Sequence, residues 1–189
     1  MREIAIVTSN KGKMEEFKAG LEPLGFKVVQ LDVECDEIQT DKLDEVVKSC
    51  VAQAELMGHT DFILDDSGLF LNNYEGFPGV YSSHAFRTIG CRGILKLLDR
   101  EPERSAHFEC IIGCSIQDVG RIFVKGSCPG WIDYTERGKS GFGFDPIFVP
   151  DGSSKSFAEM TMEEKNKVSH RGIAMRQLVE QLRWRMGDK

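Results

Sequence analysis

The chain has 189 residues, of which 41% are hydrophobic and 29% are charged, a composition typical of a globular protein. Its formal net charge of -6 argues against binding along a nucleic-acid backbone, which requires a basic surface. No apolar run approaches the roughly 20 residues of a membrane-spanning helix, and the N-terminus enters a strand pattern without a secretory signal. We therefore expect one domain, residues 1–189, with neither nucleic-acid nor membrane partners.

The first third of the chain predicts strands and helices in alternation. Strands are expected at about 3–7, 26–31 and 62–64, with helices at about 13–21 and 41–57 between them. This β-α-β-α-β order predicts an α/β fold in which helices pack on a sheet.

The remainder changes character and predicts a hairpin. A helix at about 89–98 precedes two long strand patterns at about 107–117 and 121–128, which a turn around Asp118 joins. A closing helix is expected at about 169–184, with Ser169 as its N-cap. We predict a two-lobed single domain with a mixed central sheet, flanking helices and an active-site cleft between the lobes.

Six cysteines are scattered along the chain without a CxxC pair or a Cys/His spacing typical of zinc. Cys110 and Cys114 lie in an apolar stretch and are most simply small buried residues. This distribution is typical of a reducing, cytoplasmic setting.

Two adjacent carboxylates follow the apolar run that predicts the third strand. Asp65 and Asp66 repel each other and require a compensating cation or proton if they are enclosed. Neighbouring strand residues point to opposite faces, so one of the two is expected in any given site. A solvated turn is the alternative interpretation.

Three further segments have compositions suited to a phosphorylated ligand. The turn 8–13 joins a strand to a helix N-terminus, where backbone N–H groups and lysines favour phosphate, although it lacks the Walker A pattern. The acidic segment 34–41 could complete a Mg²⁺ site with the Asp pair or simply be solvated. The segment 165–172 places basic residues at a helix N-terminus, which favours an anion or carbonyl ligand over a merely solvated helix start.

The segment 140–148 is rich in glycine and phenylalanine, and we expect another group to shield its aromatic rings from water. A flat heteroaromatic base stacked on Phe142 or Phe144 would provide this shielding, and Asp145 would accept hydrogen bonds from ring N–H groups. A buried hairpin corner is the alternative.

Five motifs occur in one order along the chain: Thr-x-Asn-x-x-Lys at 8–13, Asp-Asp-Ser-Gly-Leu at 65–69, Phe-Pro-Gly-Val-Tyr-Ser at 77–82, Gly-Phe-Gly-Phe-Asp-Pro at 141–146 and Ser-His-Arg-Gly at 169–172. In this combination the chain resembles the inosine triphosphate pyrophosphatase family (Ham1-like, non-canonical purine NTP pyrophosphatases) over nearly its whole length. The resemblance implies an elongated homodimer that hydrolyses ITP, dITP and XTP to the monophosphate and pyrophosphate with Mg²⁺.

The resemblance also implies site residues. Asp66 becomes the catalytic carboxylate and a metal ligand, and Glu37 becomes the second metal ligand. The implied substrate contacts are Thr8, Ser9, Asn10, Lys11, Gly12, Lys13, Ser67, Phe142, Gly143, Phe144, Asp145, Lys165, His170 and Arg171. Two of these depart from many relatives, which carry Gly in place of Ser9 and Tyr in place of Phe144.

We interpret this set as a site for metal-assisted attack of water on the α-phosphorus. Lys13 and Lys165 would neutralise the triphosphate, and donors from His170 or Arg171 would read the 6-oxo group of hypoxanthine or xanthine. Three alternatives remain open: a Maf-type pyrophosphatase of other base preference, an α/β phosphatase that releases orthophosphate, and a nucleotide sensor without turnover.

Overall fold

The structure is a computed structural model that describes residues 2–36 and 38–187. Its six strands form one sheet in the order β2-β1-β3-β4-β5-β6. β1 is parallel to both β2 and β3, whereas β3 to β6 pair antiparallel. The strands are β1 (Arg2–Val7), β2 (Phe26–Leu31), β3 (Phe62–Leu71), β4 (Ser105–Ile116), β5 (Gly120–Ile132) and β6 (Phe148–Pro150). The predicted mixed sheet is therefore confirmed.

Helices cover both faces of this sheet. α1 and α6 pack through Phe17 and Leu178 against one face, where Ile63 is fully buried. α2 packs through Val47 and Val51 against the opposite face. The six helices are α1 (Lys11–Leu21), α2 (Leu43–Leu56), α3 (Ser82–Thr88), α4 (Gly90–Leu97), α5 (Met162–Val168) and α6 (His170–Met186). A separate apolar cluster forms around Phe108, Phe148 and Phe157.

β3 is longer than the sequence predicts, and this places the acidic pair inside a strand. The strand continues to Leu71 because β4 pairs with it along its whole length, with Asp66 opposite Ile111. On the other side, β1 ends at Val7, opposite Leu64. From residue 65 onward β3 therefore has no parallel neighbour, which leaves a crevice at the point where the strand order switches, the usual ligand position in open α/β sheets.

Three short elements were missed in the sequence, namely α3, α5 and β6. α3 and α5 have seven residues each, too few for a clear helical period. α5 does carry a start signal, since Thr161 and Glu164 form a capping box. The predicted N-cap of α6 is confirmed, because Ser169 Oγ accepts a hydrogen bond of 3.1 Å from Gly172 N.

Two of the six cysteines are paired in the structure. A disulfide joins Cys35, between β2 and α2, to Cys50 on α2, with 5.4 Å between their Cα atoms. The scattered spacing gave no indication of this pair. Cys110 and Cys114 are buried free thiols, as predicted. Within residues 2–36 and 38–187, none of the helices has the length and apolar character needed to cross a membrane.

Candidate active site

A cavity of about 580 Å³ opens where β1 ends and β3 continues. Its lining combines both halves of the fold, since it includes the turn after β1, the middle of β3, α2, α3 and the 142–145 loop. The predicted site residues that line it are Thr8, Ser9, Asn10, Lys13, Asp66, Ser67, Phe142, Gly143, Phe144, Asp145, Lys165 and His170. Lys11, Gly12 and Arg171 do not line it, and the predicted metal ligand Glu37 lies outside the described residues.

The two adjacent aspartates have different environments, as strand geometry requires. Asp65 shares a sheet face with Ile63, which packs against α1 and α6. Asp66 shares the opposite face with Leu64, which packs against α2. Asp66 is half-buried, lines the cavity, and its Oδ1 accepts a hydrogen bond of 2.8 Å from Ser67 N.

Asp65 is held by cations of the protein itself. Its fully buried carboxylate receives hydrogen bonds of 3.0 and 2.9 Å from Arg171 Nε and Nη2, and Lys13 Nζ lies 3.2 Å away. Burial alone raises the pKa of Asp65, but Arg171 and then Lys13 outweigh burial and hold that pKa below its ordinary value. Asp65 is therefore ionised at neutral pH and is a poor acceptor for a proton from water.

Arg171 is the centre of this buried network and not a surface of the cavity. It is 1% exposed, and besides Asp65 it donates to Glu16 and, over 2.9 Å, to Ser67 Oγ. These bonds use four of the five guanidinium N–H groups. The hypothesis that Arg171 reads the purine directly is therefore not supported by this arrangement, in which Arg171 positions Asp65 and Ser67.

Lys165 and Asp145 complete the network on its other side. Lys165 Nζ lies 2.7 Å from both Glu16 Oε1 and Asp145 Oδ2, and all three side chains are buried. Burial raises the pKa of Asp145 above its ordinary value despite Lys165, whereas Arg171 and Lys165 outweigh burial and lower the pKa of Glu16. Asp145 Oδ2 also accepts a hydrogen bond of 2.8 Å from Phe142 N, which fixes the loop. The charge of Lys165 is thus compensated inside the protein by Glu16 and Asp145.

His170 is the polar group whose environment best suits a neutral base. Its ring stacks on Phe108 with a centroid distance of 4.7 Å and an interplanar angle of 11°. Burial, reinforced by Arg171 and Lys165, lowers the pKa of His170 well below its ordinary value, so the ring is neutral at pH 7. Among the described residues, its buried Nδ1 has no hydrogen-bond partner. A neutral imidazole offers one donor and one acceptor.

The turn after β1 is stabilised by hydrogen bonds between its own residues. Asn10 Oδ1 accepts hydrogen bonds from Gly12 N (2.9 Å) and Lys13 N (3.2 Å), which makes Asn10 the N-cap of α1. Thr8 Oγ1 accepts a further bond of 3.1 Å from Asn10 N. The N–H groups of Asn10, Gly12 and Lys13 are therefore engaged within the turn, while Thr8 and Ser9 line the cavity.

Gly12 contributes through packing. A Cβ at this position would lie 2.3 Å from Phe142 Cδ1, closer than real Cβ contacts allow. The Phe142 ring thus rests against the backbone of α1, where Lys165 Nζ lies 4.9 Å from the ring centroid. Phe144 is buried and meets Phe86 edge to face at 5.3 Å. Phe142 and Phe144 hence form a preformed aromatic wall of the cavity.

The residues at the cavity fit a hard divalent cation. Asp66 and Asp36 both line it, and Asp65 Oδ1 is a buried acceptor without a hydrogen-bond partner in the described part of the chain. Magnesium ordinarily takes one or two carboxylates and completes its shell with water and substrate phosphates. Residues 2–36 and 38–187 contain no cluster of three or more potential metal-binding side chains.

Two functional candidates were missed in the sequence. Glu16 lies on α1 three residues after Lys13 and is 1% exposed. Its position on the apolar face of a predicted helix was the sequence signal that could have identified it. Arg87, on the unpredicted helix α3, is exposed and lines the cavity. It makes no ion pair with any described residue, so its charge remains available to an anion.

These features define an α/β protein with a ligand-sized cleft at the switch point of a mixed sheet. Residues 4–181 match the model of the Ham1 family. The chain therefore belongs to the Ham1 family, in agreement with the resemblance of its motifs.

Relatives and solved structures agree with this membership over the full length. A dITP/XTP pyrophosphatase of Thermococcus kodakarensis is 48% identical over 180 residues, which cover 95% of this chain and 97% of that protein. A dITP/XTP pyrophosphatase of Pyrococcus horikoshii is 45% identical, with coverage of 96% and 97%. The structure of the Staphylococcus aureus Ham1 protein matches with a TM-score of 0.81 at 29% identity and covers 100% of both chains.

Proposed function

We propose that this protein is a nucleoside-triphosphate pyrophosphatase that hydrolyses non-canonical purine nucleotides, namely ITP, dITP and XTP, to the monophosphate and pyrophosphate. The observation that carries the proposal is the cavity lining, in which a half-buried carboxylate, Asp66, shares one space with aromatic Phe142 and neutral His170. The similarity to the dITP/XTP pyrophosphatases of Thermococcus and Pyrococcus supports it.

Mg²⁺ is the proposed cofactor, with Asp66 and Glu37 as the residues that would hold it. When bound, the cation supplies charge neutralisation at the triphosphate and lowers the pKa of an attached water. The acidic segment supports this assignment, because Asp36 lines the same cavity as Asp66.

Asp66 is proposed as the group that accepts the proton of the attacking water. Asp65 is unsuited to that role, because Arg171 and Lys13 occupy its Oδ2 and hold its pKa low. Ser67, whose hydroxyl accepts a hydrogen bond from Arg171, lies beside Asp66 and is fixed for contact with a phosphate oxygen. Arg87 takes the place that Lys165 had in the sequence-based interpretation, since its charge is not used within the described residues.

Base selection is proposed to rest on His170 together with the aromatic wall. The unpartnered Nδ1 of His170 requires a polar partner when the cavity is filled. A hydrogen-bond donor at this point pairs with the 6-oxo group of hypoxanthine or xanthine and opposes the 6-amino group of adenine. Buried donors left unpaired cost about 1–3 kcal/mol each, enough to discriminate against ATP.

Product analysis tests this proposal. Purified protein with Mg²⁺ is expected to release pyrophosphate and no orthophosphate from ITP, dITP and XTP, with at least about 100-fold lower kcat/KM for ATP, as expected when a site leaves polar groups unpaired. Release should stop in EDTA. Orthophosphate would identify a phosphatase, preference for other nucleotides would favour a Maf-type enzyme, and tight ITP binding without turnover would favour a sensor. Each of these three results contradicts the proposal.

The remaining expectations are a homodimer and a cytoplasmic location. Exposed apolar side chains near the 77–82 motif, Phe77 at 43% and Tyr81 at 50%, support a partner copy on that surface. The proposed substrates belong to the purine nucleotide pool, and this supports a cytoplasmic location for the protein.

A further inference from the structure

The segment between β2 and α2, residues 32–42, brings Asp36 to the cavity but has little backbone support in its described residues. Within its described residues, no backbone–backbone hydrogen bond joins 32–36 or 38–41 to the rest of the described chain. The segment is attached to α2 by side chains. The Cys35–Cys50 disulfide is the covalent attachment, and both of its cysteines line the cavity beside Asp36.

Gln53 forms a second, non-covalent attachment one turn after Cys50. Its Oε1 accepts a hydrogen bond of 2.8 Å from Asp36 N, and its Nε2 donates one of 2.9 Å to Asp36 O. The side-chain amide therefore holds the residue next to Cys35 on both sides of its backbone. The disulfide and Gln53 hold residues 35 and 36 against α2, and Thr40 Oγ1 donates a further hydrogen bond of 2.6 Å to Glu45 Oε2 on the same helix.

The anchor on the other side is rigid. α2 buries Val47 and Val51 against the sheet, and a Cβ at Gly113 on β4 would lie only 2.7 Å from Val47 Cγ1. Opening the disulfide would thus release the 32–42 segment and leave α2 in place.

The disulfide is also the accessible sulfur site of the chain. Cys35 and Cys50 are half-buried at an open cavity, whereas Cys91, Cys110, Cys114 and Cys128 are buried free thiols. Burial raises the pKa of the Cys91 thiol to about 12 and that of Cys114 to about 11, which keeps these thiols unreactive. A small reductant therefore acts selectively at the Cys35–Cys50 pair.

We propose that the Cys35–Cys50 disulfide is a redox-responsive latch that holds the acidic segment 32–42 at the cavity and thereby sets the affinity for divalent cation and nucleotide. The inference rests on the proposed function for the identity of these ligands. A dithiol supplies two electrons and two protons, the S–S bond breaks, Cys35 and Cys50 become thiols, and the dithiol is oxidised to its own disulfide. Outside hyperthermophiles, whose intracellular proteins are rich in disulfides, a cytosolic disulfide is usually transient and either catalytic or redox-sensing.

The latch is tested by comparing oxidised protein with protein treated with dithiothreitol. Alkylation and mass measurement should find four free thiols per chain before reduction, matching the four free cysteines, and the two sulfurs of Cys35 and Cys50 in addition afterwards. Reduction is expected to raise the Mg²⁺ concentration for half-maximal ITP turnover roughly 10-fold, the lower range for lost support of a metal site. It should also increase amide hydrogen exchange in 32–42 and leave α2 protected.

The variant C35S/C50S is the matched control. It should resemble reduced wild-type protein in both readouts and should not respond to dithiothreitol. Gln53→Ala should increase exchange around residue 36 more strongly after reduction than before, because the disulfide then no longer holds Cys35 beside Asp36.

The outcomes separate this inference from the proposed function. Equal Mg²⁺ dependence and equal exchange in the two redox states overturn the latch, as does the absence of a disulfide in oxidised protein. Absence of ITP turnover in both states, with a redox-dependent change of exchange confined to 32–42, overturns the proposed function and supports the latch.

Discussion

Asp66→Asn is expected to lower kcat for ITP hydrolysis by about 10²- to 10⁴-fold, the usual range for loss of a group that transfers a proton in the rate-determining step. The amide retains Oδ1, so it can still accept the hydrogen bond from Ser67 N and the strand should fold normally. Loss of the negative charge should also weaken Mg²⁺ binding. Steady-state kinetics at saturating Mg²⁺ and ITP measure the effect, and circular dichroism checks the fold.

Asp118→Asn provides the matched control for Asp66→Asn. Asp118 is an exposed aspartate in the β4–β5 turn with φ +67°, a conformation that asparagine tolerates. This variant should retain wild-type activity. If Asp66→Asn also retained activity within a factor of about three, well below the range for a proton-transfer residue, Asp66 would have no part in the chemistry.

Arg171→Ala is expected to lower the free energy of unfolding by about 3–5 kcal/mol, the range for removing one partner of a buried ion pair. The change leaves Asp65 and Glu16 buried without the guanidinium that both contact. Urea unfolding at pH 7 measures the loss. Arg183→Ala, at an exposed position of the same helix, should change stability by no more than about 0.5 kcal/mol.

The pH dependence distinguishes this ionic effect from lost packing. Arg171 lowers the pKa of Asp65 and of Glu16, so its stabilisation is present above their ordinary values and is lost as the pH falls through the lowered ones. The difference between wild type and Arg171→Ala should therefore shrink as the pH falls below about 4, where even unfolded carboxyls become protonated. A difference that stays constant from pH 7 to pH 3 would mean that packing alone explains the loss.

Local signals in the sequence were sufficient for several elements and for the polar turns. The Phe26–Leu31 strand and the Ser169 cap follow from alternation and from the hydroxyl that precedes an apolar helix. The length of β3 could not be predicted in the same way, because Asp65, Asp66 and Ser67 disfavour a strand locally. Pairing with β4 outweighs that preference, and the pairing is a tertiary property.

In the candidate site, too, the sequence identifies the residues but not the side chains that they contact. The motifs identify Asp66, Phe142 and His170 as cavity residues, and the cavity contains them. The motifs do not show that Arg171 and Lys165 form ion pairs with buried carboxylates. These contacts span up to 155 positions of sequence. Cationic residues in a motif thus predict where charge is concentrated, whereas only the fold shows which cations remain for a ligand.

The measurement that tests the central claim most directly is hydrolysis of ITP in ¹⁸O-labelled water with Mg²⁺, followed by mass spectrometry of both products. Attack of water on the α-phosphorus, with Asp66 accepting its proton, predicts one solvent oxygen in the phosphate of the monophosphate and none in pyrophosphate. Solvent oxygen in pyrophosphate or in orthophosphate would place the attack on another phosphorus and contradict the proposed chemistry of this site.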